Sequence, residues 1–396
     1  MQIYDVIIIG AGPAGLSAAL TFSNSNNKVL LIDKCSFPRD KVCGDGLTSE
    51  SALILKQFGV LDLILKKGFI SERVDIYPFN DERFITKQHR IVTLKRSILD
   101  KILFDKTLTN NNIQFLQRKF IGNIVTESEY ASLEFINPET GIKETLYSTY
   151  FILATGASFA PLKMIKGSKR AGVATIRGYY RAEWNITNPL VYLDEVDNSL
   201  AFYLFPMGDN LFNVGCCRLI GRSKKINLRM LLDNFINERL CTKYGKNGHW
   251  EVDPIGEGIR SGLLNLKNAV LTRGLLSGEA LGSTCPFTGE GISKALKSGV
   301  IAAETILKCL QNSDDKLLSE YKSRIKNEIG KTHTPYKILE FIATKKILRT
   351  WFFSKICESR YIQNRILTKF GDDMDSGTIL ELKSILRFFI KLFFRK

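Results

Sequence analysis

The sequence predicts an α/β fold: a Rossmann-like, dinucleotide-binding domain with an inserted antiparallel β-sheet substrate domain and a C-terminal helical segment. Three observations support this prediction. A glycine-rich turn, GAGPAG, joins an apolar run to a helical pattern near the N-terminus. The middle of the chain alternates apolar and polar residues, as antiparallel strands do. From about residue 317 onward the chain has a helical and basic pattern.

The N-terminal elements predict a nucleotide site. The first strand is the apolar run of residues 4–9, and the turn after it has the GxGxxG pattern. In this pattern Gly10 allows the tight turn, Gly12 lets the backbone approach a diphosphate, and Gly15 lets the helix pack closely on the strand. The next apolar strand ends at Asp33, whose carboxylate is placed to accept hydrogen bonds from ribose hydroxyls.

The later elements follow the same two periodicities. Residues 49–68 and 95–110 have helical patterns, and the second of these has an apolar face. The run FILATG returns the chain to the dinucleotide sheet. Strands are predicted over residues 113–125, 131–137 and 145–156, an antiparallel sheet over 173–184, 190–195, 200–209 and 211–220, and a resumed strand-to-helix pattern over 269–282 and 285–307.

This order of elements predicts a discontinuous cofactor domain. It comprises residues 1–75, 95–170 and 265–315, and the substrate domain comprises residues 76–94 and 171–264. Residues 316–396 form the C-terminal helical region with a basic amphipathic tail.

A second glycine cluster, FPRDKVCGDGL, spans residues 37–47. Gly44 and Gly46 make a loop that a cofactor can approach closely. Arg39 is placed to neutralise phosphate charge, together with Lys41. Cys43 either faces the cofactor ring or is a small buried apolar residue, and both interpretations stay open.

A third cluster, SGEALGSTCPFTGEGI, spans residues 277–292. Glu279, after Gly278, is placed to bind cofactor hydroxyls. Gly289 to Ile292 present backbone N–H groups at a helix N-terminus, which would stabilise negative charge at the N1/O2 edge of a reduced flavin.

These motifs, with Arg96 in LKRSILDKIL and the run YLFPMGD, occur in an order that resembles the geranylgeranyl reductase family of FAD-dependent oxidoreductases. That family shares the p-hydroxybenzoate hydroxylase-like flavoprotein fold, and the resemblance covers nearly the whole chain. It implies FAD as the cofactor, with contacts at Ala14, Asp33, Cys43, Gly44, Gly46, Arg96, Glu279, Gly291 and Ile292, and a looser match near Phe120. Gly10, Gly12, Gly15, Lys34, Arg39, Gly278 and Gly289 complete the predicted cofactor set.

The sequence departs from the family pattern at two places. Glu279 stands where the family usually has Asp, so the acceptor is kept but moved. The family's Tyr-x-Trp-x-Phe-Pro pattern becomes Ala201, Tyr203, Phe205 and Pro206, which reshapes the predicted substrate pocket.

The resemblance implies reduction of carbon–carbon double bonds in a prenyl or other hydrophobic, lipid-like substrate. The hypothesis is hydride transfer from reduced flavin, with a proton from Cys43 or from ordered water, and with electrons from an external donor (NAD(P)H or a ferredoxin-like protein). Tyr203 is a second candidate catalytic residue. Tyr203, Phe205 and Pro206 are predicted to line the substrate cavity, against the alternative that their strand is only structural core.

Two other functions remain open on the sequence alone. One is a flavin-dependent monooxygenase or halogenase-type enzyme acting on a hydrophobic or aromatic substrate. The other is a flavin-binding interaction protein that has lost activity, which the changes at Glu279 and in the aromatic motif would explain. The pair Thr155–Gly156 counts against the aromatic hydroxylases, which carry Asp-Gly there.

The net charge of +16 favours an anionic partner. The tail, residues 379–396, places polar and basic residues on one stripe and apolar residues on the rest. This pattern predicts either a helix lying on an anionic membrane surface or a helix docked on protein. No nucleic-acid module is recognisable.

The cysteine and histidine content predicts the compartment and excludes a metal site. Eight cysteines without CxxC pairs and without a preceding secretory signal predict free thiols in a reducing cytoplasm, with peripheral membrane association through the tail. Three scattered histidines argue against a metal site.

Overall fold

The computed structural model describes residues 2–79, 82–85, 90–194, 197–220, 226–245 and 248–358. Within these ranges the chain forms a mixed α/β structure with three β-sheets. The elements are numbered in chain order. The strands are β1 Ile3–Ile9, β2 Val29–Asp33, β3 Gly46–Leu47, β4 Phe69–Ser71, β5 Asp75–Phe79, β6 Glu82–Ile85, β7 Ile91–Thr93, β8 Ile113–Gln117, β9 Lys119–Thr126, β10 Ala131–Ile136, β11 Lys143–Leu153, β12 Val173–Ala182, β13 Leu190–Leu193, β14 Leu200–Pro206, β15 Leu211–Leu219, β16 Gly248–Ile259, β17 Val270–Leu271 and β18 Gly274–Leu276.

The helices lie between these strands and after the last of them. Two stretches, Phe235–Leu240 and Lys326–Gly330, have the wider π-helical turn. The α-helices are α1 Pro13–Phe22, α2 Ser49–Gln57, α3 Leu61–Lys67, α4 Arg96–Leu108, α5 Leu228–Asn234, α6 Cys241–Tyr244, α7 Ile292–Asn312, α8 Glu320–Ile325, α9 Lys331–Ala343 and α10 Lys346–Glu358.

The largest sheet contains the predicted dinucleotide unit. Its parallel part has the order β18–β11–β1–β2–β8. β1 and β2 are mostly apolar and mostly buried, as is typical of strands in a parallel sheet. β10 joins the sheet through β11, and β9 joins through β10. As predicted, the strand that ends in Leu153 returns the chain to this sheet.

The second sheet is the predicted antiparallel one, in the order β16–β12–β15–β14–β13–β5–β6. Among the described strand pairs of this second sheet, only β13–β5 is parallel. β14 alternates buried and half-buried residues, so one of its faces packs on the aromatic core beneath α5 and the following π-turn. The other face, which includes Tyr203 and Phe205, turns towards the cofactor domain.

A third, small sheet connects the other two. β3 pairs with β7, and β7 pairs with β4. The backbone N–H of Leu94 also donates to the carbonyl of Asp45 at 3.0 Å. The second glycine cluster is thereby fixed to β7. The domain boundaries in the sequence stay a prediction, because strand pairing does not define units that fold independently.

One predicted helix is interrupted. Residues 49–68 form two helices, α2 and α3, separated at Gly59, whose φ is +70°. A left-handed glycine ends a helix at low cost, and periodicity alone does not detect it.

The C-terminal region is helical as far as it is described. Helices α9 and α10 form a small apolar cluster of their own around Leu339, Ile342, Phe352 and Phe353. The predicted amphipathic tail, residues 379–396, lies outside the described residues. Among the described helices, none has both the length and the apolar character needed to cross a bilayer.

Candidate active site

The glycine turn after β1 is shaped by close backbone approach. Gly10 has φ +105°, and a Cβ there would lie 2.2 Å from the carbonyl oxygen of Ala154. A Cβ on Gly15 would lie 1.8 Å from the carbonyl oxygen of Gly10. Neither position accepts a side chain, which is the role that the GxGxxG pattern predicted.

Gly12 is less closely packed, and within the described chain no backbone atom approaches its Cβ position. The atoms nearest to a Cβ built there are two guanidinium nitrogens, Nη2 of Arg39 at 3.5 Å and Nη2 of Arg96 at 3.9 Å. Helix α1 starts at the next residue, and no side chain caps its first N–H groups. Two cations and a helix N-terminus therefore surround one face of Gly12, an arrangement that suits a diphosphate.

The two arginines are held by carboxylates. Arg96 makes a bidentate pair with Asp100, with both N–O distances 2.8 Å, and Nη2 of Arg39 lies 3.4 Å from Asp100. Burial acts to lower the pKa of Arg96, but the Asp100 carboxylate outweighs it, so the pKa lies above its ordinary value. The Nε of Arg39 is buried and has no partner in the described part of the chain.

Asp33 is already engaged by the backbone. Its Oδ2 accepts from the N–H of Ala11 at 2.7 Å, and its Oδ1 accepts from the N–H of Cys35 at 3.0 Å. Asp33 also lies 3.7 Å from Nη2 of Arg39. The predicted contact of Asp33 with a ribose stays a prediction.

The second glycine cluster packs on β12, β14 and β15. Asp45 has φ +63°, and its side chain is fully buried. Its Oδ2 accepts from the hydroxyl of Tyr179 at 2.5 Å and from Nδ2 of Asn213 at 2.8 Å. The same Nδ2 donates to the carbonyl of Cys43 at 2.8 Å. The substrate sheet therefore holds this turn through one amide and one phenol.

The aromatic residues predicted to bind substrate cover the same turn. A Cβ on Gly46 would lie 3.0 Å from the Phe205 ring, and a Cβ on Gly44 would lie 3.7 Å from the Tyr203 ring. The two rings themselves lie 5.3 Å apart between centroids. Pro206 lies behind them, and its carbonyl accepts from the hydroxyl of Thr93.

Burial raises the pKa of the acidic groups in and beside this turn. It raises the pKa of the Cys43 thiol, and it raises the pKa of the Tyr203 phenol well above its ordinary value. It also raises the pKa of Asp45 to about 6, although Tyr179, Arg177 and Asn213 oppose the shift. The thiol and the phenol are therefore neutral at neutral pH.

The third glycine cluster meets the first. A Cβ on Gly278 would lie 2.7 Å from the Cβ of Ala14, and the N–H of Gly278 donates to Oγ of Ser298 at 2.9 Å. Oε1 of Glu279 accepts from the N–H of Arg260 at 3.3 Å. Burial raises the pKa of Glu279, and the charges of Lys41 and Arg260 work against that shift.

Lys41 connects the clusters electrostatically. It forms an ion pair with Glu257, and it interacts with Glu279, Arg96 and Cys43. Burial lowers its pKa to about 8. Lys41 therefore loses its proton more readily than an ordinary lysine, and an anionic ligand beside it would stabilise its charge.

Helix α7 begins at Ile292, and its N-cap residue is Gly291, which has no side chain to cap the helix. One residue earlier, Glu290 accepts from the N–H of Ser293 at 2.8 Å. Lys294 forms an ion pair with Glu50 of α2. The start of α7 is thus a charged and mostly buried region.

The structure brings most of the predicted site residues together, and leaves a few apart. The Lys34 side chain is exposed, Phe120 packs on Phe135 with 5.5 Å between ring centroids, and Gly289 has no neighbour within 4 Å of its Cβ position. Those brought together are Gly10, Gly12, Ala14, Gly15, Arg39, Arg96, Cys43, Gly44, Gly46, Gly278, Glu279, Tyr203 and Phe205.

Sequence reasoning missed several residues that build the site. Asp100 could have been found from its i,i+4 spacing to Arg96 on a predicted helix. Tyr179, Asn213 and the fully buried Arg260 had no local signal, because their partners lie far away along the chain.

The geometry fits FAD. The N-terminus of α1 has no side-chain cap, and two arginines flank Gly12 beside it. In the described ranges no cluster of three or more His, Cys, Asp or Glu side chains is arranged for a metal ion. The seven cysteines whose side chains are described are free thiols.

Known proteins share this sequence pattern and this fold. Residues 4–184 match the family described as pyridine nucleotide-disulphide oxidoreductase. The chain is 26% identical over 354 residues to a digeranylgeranylglycerophospholipid reductase of Methanococcus vannielii, covering 82% of this chain and 83% of that protein.

Two solved structures are similar over almost their whole length. A geranylgeranyl bacteriochlorophyll reductase-like protein of Thermoplasma acidophilum has a TM-score of 0.79 at 18% identity, over 99% of this chain and 100% of that one. A flavin-dependent brominase has a TM-score of 0.75 at 17% identity, over 99% of both chains. At such identities the structures show a common fold. The motifs, the fold and the sequence relatives agree: the chain is an FAD-dependent oxidoreductase, and it is similar to proteins named as geranylgeranyl-type reductases.

Proposed function

We propose that this protein reduces carbon–carbon double bonds in a prenyl or similar hydrophobic, lipid-like substrate. The observation that carries the proposal is the direct packing of the Cys43–Gly46 turn against the rings of Tyr203 and Phe205. An apolar wall then lies beside the segment predicted to touch the cofactor ring, where an alkene would have to bind.

The cofactor, when bound, supplies the hydride. The residues of the chain have the other tasks. Arg39 and Arg96 would hold the diphosphate, and the start of α7 would favour negative charge on the reduced ring. Tyr203 and Phe205 would exclude water from the reacting bond.

Cys43 would supply the proton. Its thiol stays protonated because burial raises its pKa, and it lies on the turn that faces Tyr203. In the balanced reaction one alkene carbon takes the hydride and its neighbour takes the thiol proton. Tyr203, a neutral phenol, would orient the substrate.

The likeness to a digeranylgeranylglycerophospholipid reductase supports a prenyl lipid as substrate. Ala201 and Tyr203 stand where the family has larger rings, which leaves room for a substrate of different shape. An external electron donor completes the cycle. Attachment to an anionic membrane surface through residues 379–396 belongs to the same proposal, and the net charge of +16 supports it.

The test uses the purified holoenzyme under anaerobic conditions. Dithionite-reduced protein is mixed with lipids that carry geranylgeranyl chains, and flavin reoxidation is followed together with lipid mass. The proposal requires reoxidation that depends on lipid and a gain of two hydrogens per reduced bond.

The alternatives give different results in the same apparatus. A monooxygenase or halogenase-type enzyme would not be reoxidised by the lipid under anaerobic conditions. After air is admitted, it would consume oxygen in proportion to substrate and leave the lipid chains unsaturated. A flavin-binding protein without activity would show neither behaviour. Either result contradicts the proposed reductase.

A further inference from the structure

The Asp45 carboxyl is a buried acid that the proposed reaction does not yet use. It lies two residues after Cys43, and its own N–H donates to the Cys43 sulfur at 3.3 Å. The side chain is fully buried, and its φ of +63° turns it into the interface with the substrate sheet.

The two oxygens of this carboxyl have different surroundings. Oδ2 accepts two hydrogen bonds, from Tyr179 at 2.5 Å and from Asn213 at 2.8 Å. Oδ1 is buried and has no partner among the described residues. A carboxylate charge on Oδ1 would be unpaired in a site that excludes water, which is costly, whereas a proton there removes the charge.

In the described part of the chain, the cations near this carboxyl contact other side chains. Arg177 lies 4.6 Å from the centre of the Tyr179 ring, and its Nη2 is bonded to Asp40 and to the carbonyl of Lys41. Lys95 lies 4.7 Å from the same ring centre. Arg96 pairs with Asp100, and it also interacts with the Cys43 thiol. None of these cations is recorded in direct contact with Asp45 within the described chain.

From this geometry we infer that Asp45 is a proton store that acts on the substrate through Cys43. The inference rests on the proposed function. The Asp45 carboxyl carries a proton on Oδ1, while Tyr179 and Asn213 donate hydrogen bonds to Oδ2. In each cycle the Cys43 thiol gives its proton to the alkene carbon next to the one that takes the hydride. The Asp45 proton then restores the thiol, and Asp45 takes a new proton from the solvent before the next cycle, so that each turnover consumes one solvent proton.

Asp45 is thus a positioning residue with a titratable function. Burial raises its pKa to about 6, against the opposing effects of Tyr179, Arg177, Asn213 and Arg96, so the store is full below that pH and empties above it. The restoring step should therefore slow as pH rises through about 6.

The main variant is Asp45→Asn. Asparagine has nearly the same shape and adopts positive φ as readily as aspartate, so the turn should keep its conformation. At pH 5 to 6 we expect the turnover of the variant on a geranylgeranyl lipid to fall about 100-fold. The decline of the wild-type rate above about pH 6 should be absent. Asp253→Asn is the control, because the Asp253 side chain is 80% exposed.

A second variant separates proton storage from simple support of the turn. Tyr179→Phe keeps the ring but removes one donor to Oδ2, which disfavours the charged carboxylate. The pH at which the rate declines should therefore move upward from about 6. A carboxyl that only supports the turn would lower the rate without moving this pH.

The third measurement needs no substrate. Infrared difference spectra of the protein between pH 5 and pH 8 should contain the band of one protonated carboxyl that is missing in Asp45→Asn. Absence of this band, or an unchanged pH profile in Asp45→Asn beside an active wild type, overturns the inference alone. A wild type that reduces no prenyl lipid overturns the proposed function, and the proton store with it.

Discussion

Gly12 and Gly15 belong to one turn but tolerate a side chain very differently. A Cβ at Gly15 would overlap the carbonyl oxygen of Gly10, whereas a Cβ at Gly12 meets only the ends of two arginine side chains. Overlap with backbone requires the helix to move away from the strand, while arginine side chains can shift. Gly15 therefore serves the packing of the helix on the strand, and Gly12 serves access to the turn.

Gly15→Ala should consequently destabilise the fold. We expect a loss of about 3 kcal/mol in the free energy of unfolding, because overpacking against rigid backbone is not relieved by small shifts. Urea unfolding measures it. Gly172→Ala is the matched control, since nothing lies within 4 Å of that Cβ position. Equal unfolding midpoints for the two variants would contradict the packing argument.

Arg96→Met should cost more than the loss of a surface ion pair. Asp100 is fully buried, and its bidentate partner would be gone, so we expect about 3 kcal/mol of destabilisation. FAD binding, measured by fluorescence titration, should weaken at least about 10-fold. The control Lys101→Met breaks the exposed i,i+4 pair with Asp105 and should cost less than about 1 kcal/mol. Unchanged FAD affinity in Arg96→Met would remove Arg96 from the predicted cofactor contacts.

Residues with a local signature were predictable, and residues defined by distant partners were not. Gly10, Gly12 and Gly15 follow from one strand-turn-helix pattern. The partners of Asp45 lie 134 and 168 positions away, so only the pairing of sheets brings them together. Glu279 was expected to bind cofactor hydroxyls, and in the structure its recorded partner is the backbone of Arg260.

Among the elements, helix α9 packs one unusual residue against the start of α7. His333 is 1% exposed, and neither ring nitrogen has a hydrogen-bond partner in the described ranges. Burial lowers its pKa to about 3, and the nearby cations of Lys294 and Lys337 act in the same direction. Docking of this helix therefore depends on a neutral imidazole.

The stability of the protein should then fall in acid. Between pH 6.5 and about 3 the unfolded chain binds a proton at His333 and the folded chain does not. The contribution of His333 to stability is complete above pH 6.5 and decreases by about 1.4 kcal/mol for each pH unit between 6.5 and about 3.

His333→Leu should flatten this part of the curve of unfolding free energy against pH, as measured by urea unfolding between pH 4 and 7. The variant His249→Asn, at an exposed position on β16, should follow the wild type. A His333→Leu curve as steep as the wild-type curve would assign the acid sensitivity to other groups.

Element types were predicted better than element ends. The apolar runs of β1 and β2 and the alternation in β14 have the burial that their patterns predicted. β15 does not alternate in burial, because nearly all of its residues are buried. The break between α2 and α3 was missed, because it depends on the φ of a single glycine.

At the scale of the whole molecule, the charge and the tail predict where the protein works. The net charge is +16, and residues 379–396 combine cations with an apolar face. Deleting these residues should abolish sedimentation with liposomes that contain anionic lipid, because both attractive contributions are lost. A variant with Arg387, Lys391 and Arg395 changed to Gln keeps the length and apolar face and should lose only the dependence on lipid charge. Full sedimentation of the truncated protein would show that the tail does not hold the membrane.

The last strand of the parallel sheet, β18, comes late in the sequence. β18 adds to β11 only after the strands of the antiparallel sheet have been synthesised, and the start of α7 follows at Gly291. During synthesis the first glycine turn is therefore complete long before the segments predicted to close over the flavin ring. A growing chain can form the βαβ unit, but it cannot enclose the cofactor until nearly three quarters of the protein has left the ribosome. Flavin capture should thus be one of the last events in the maturation of this enzyme.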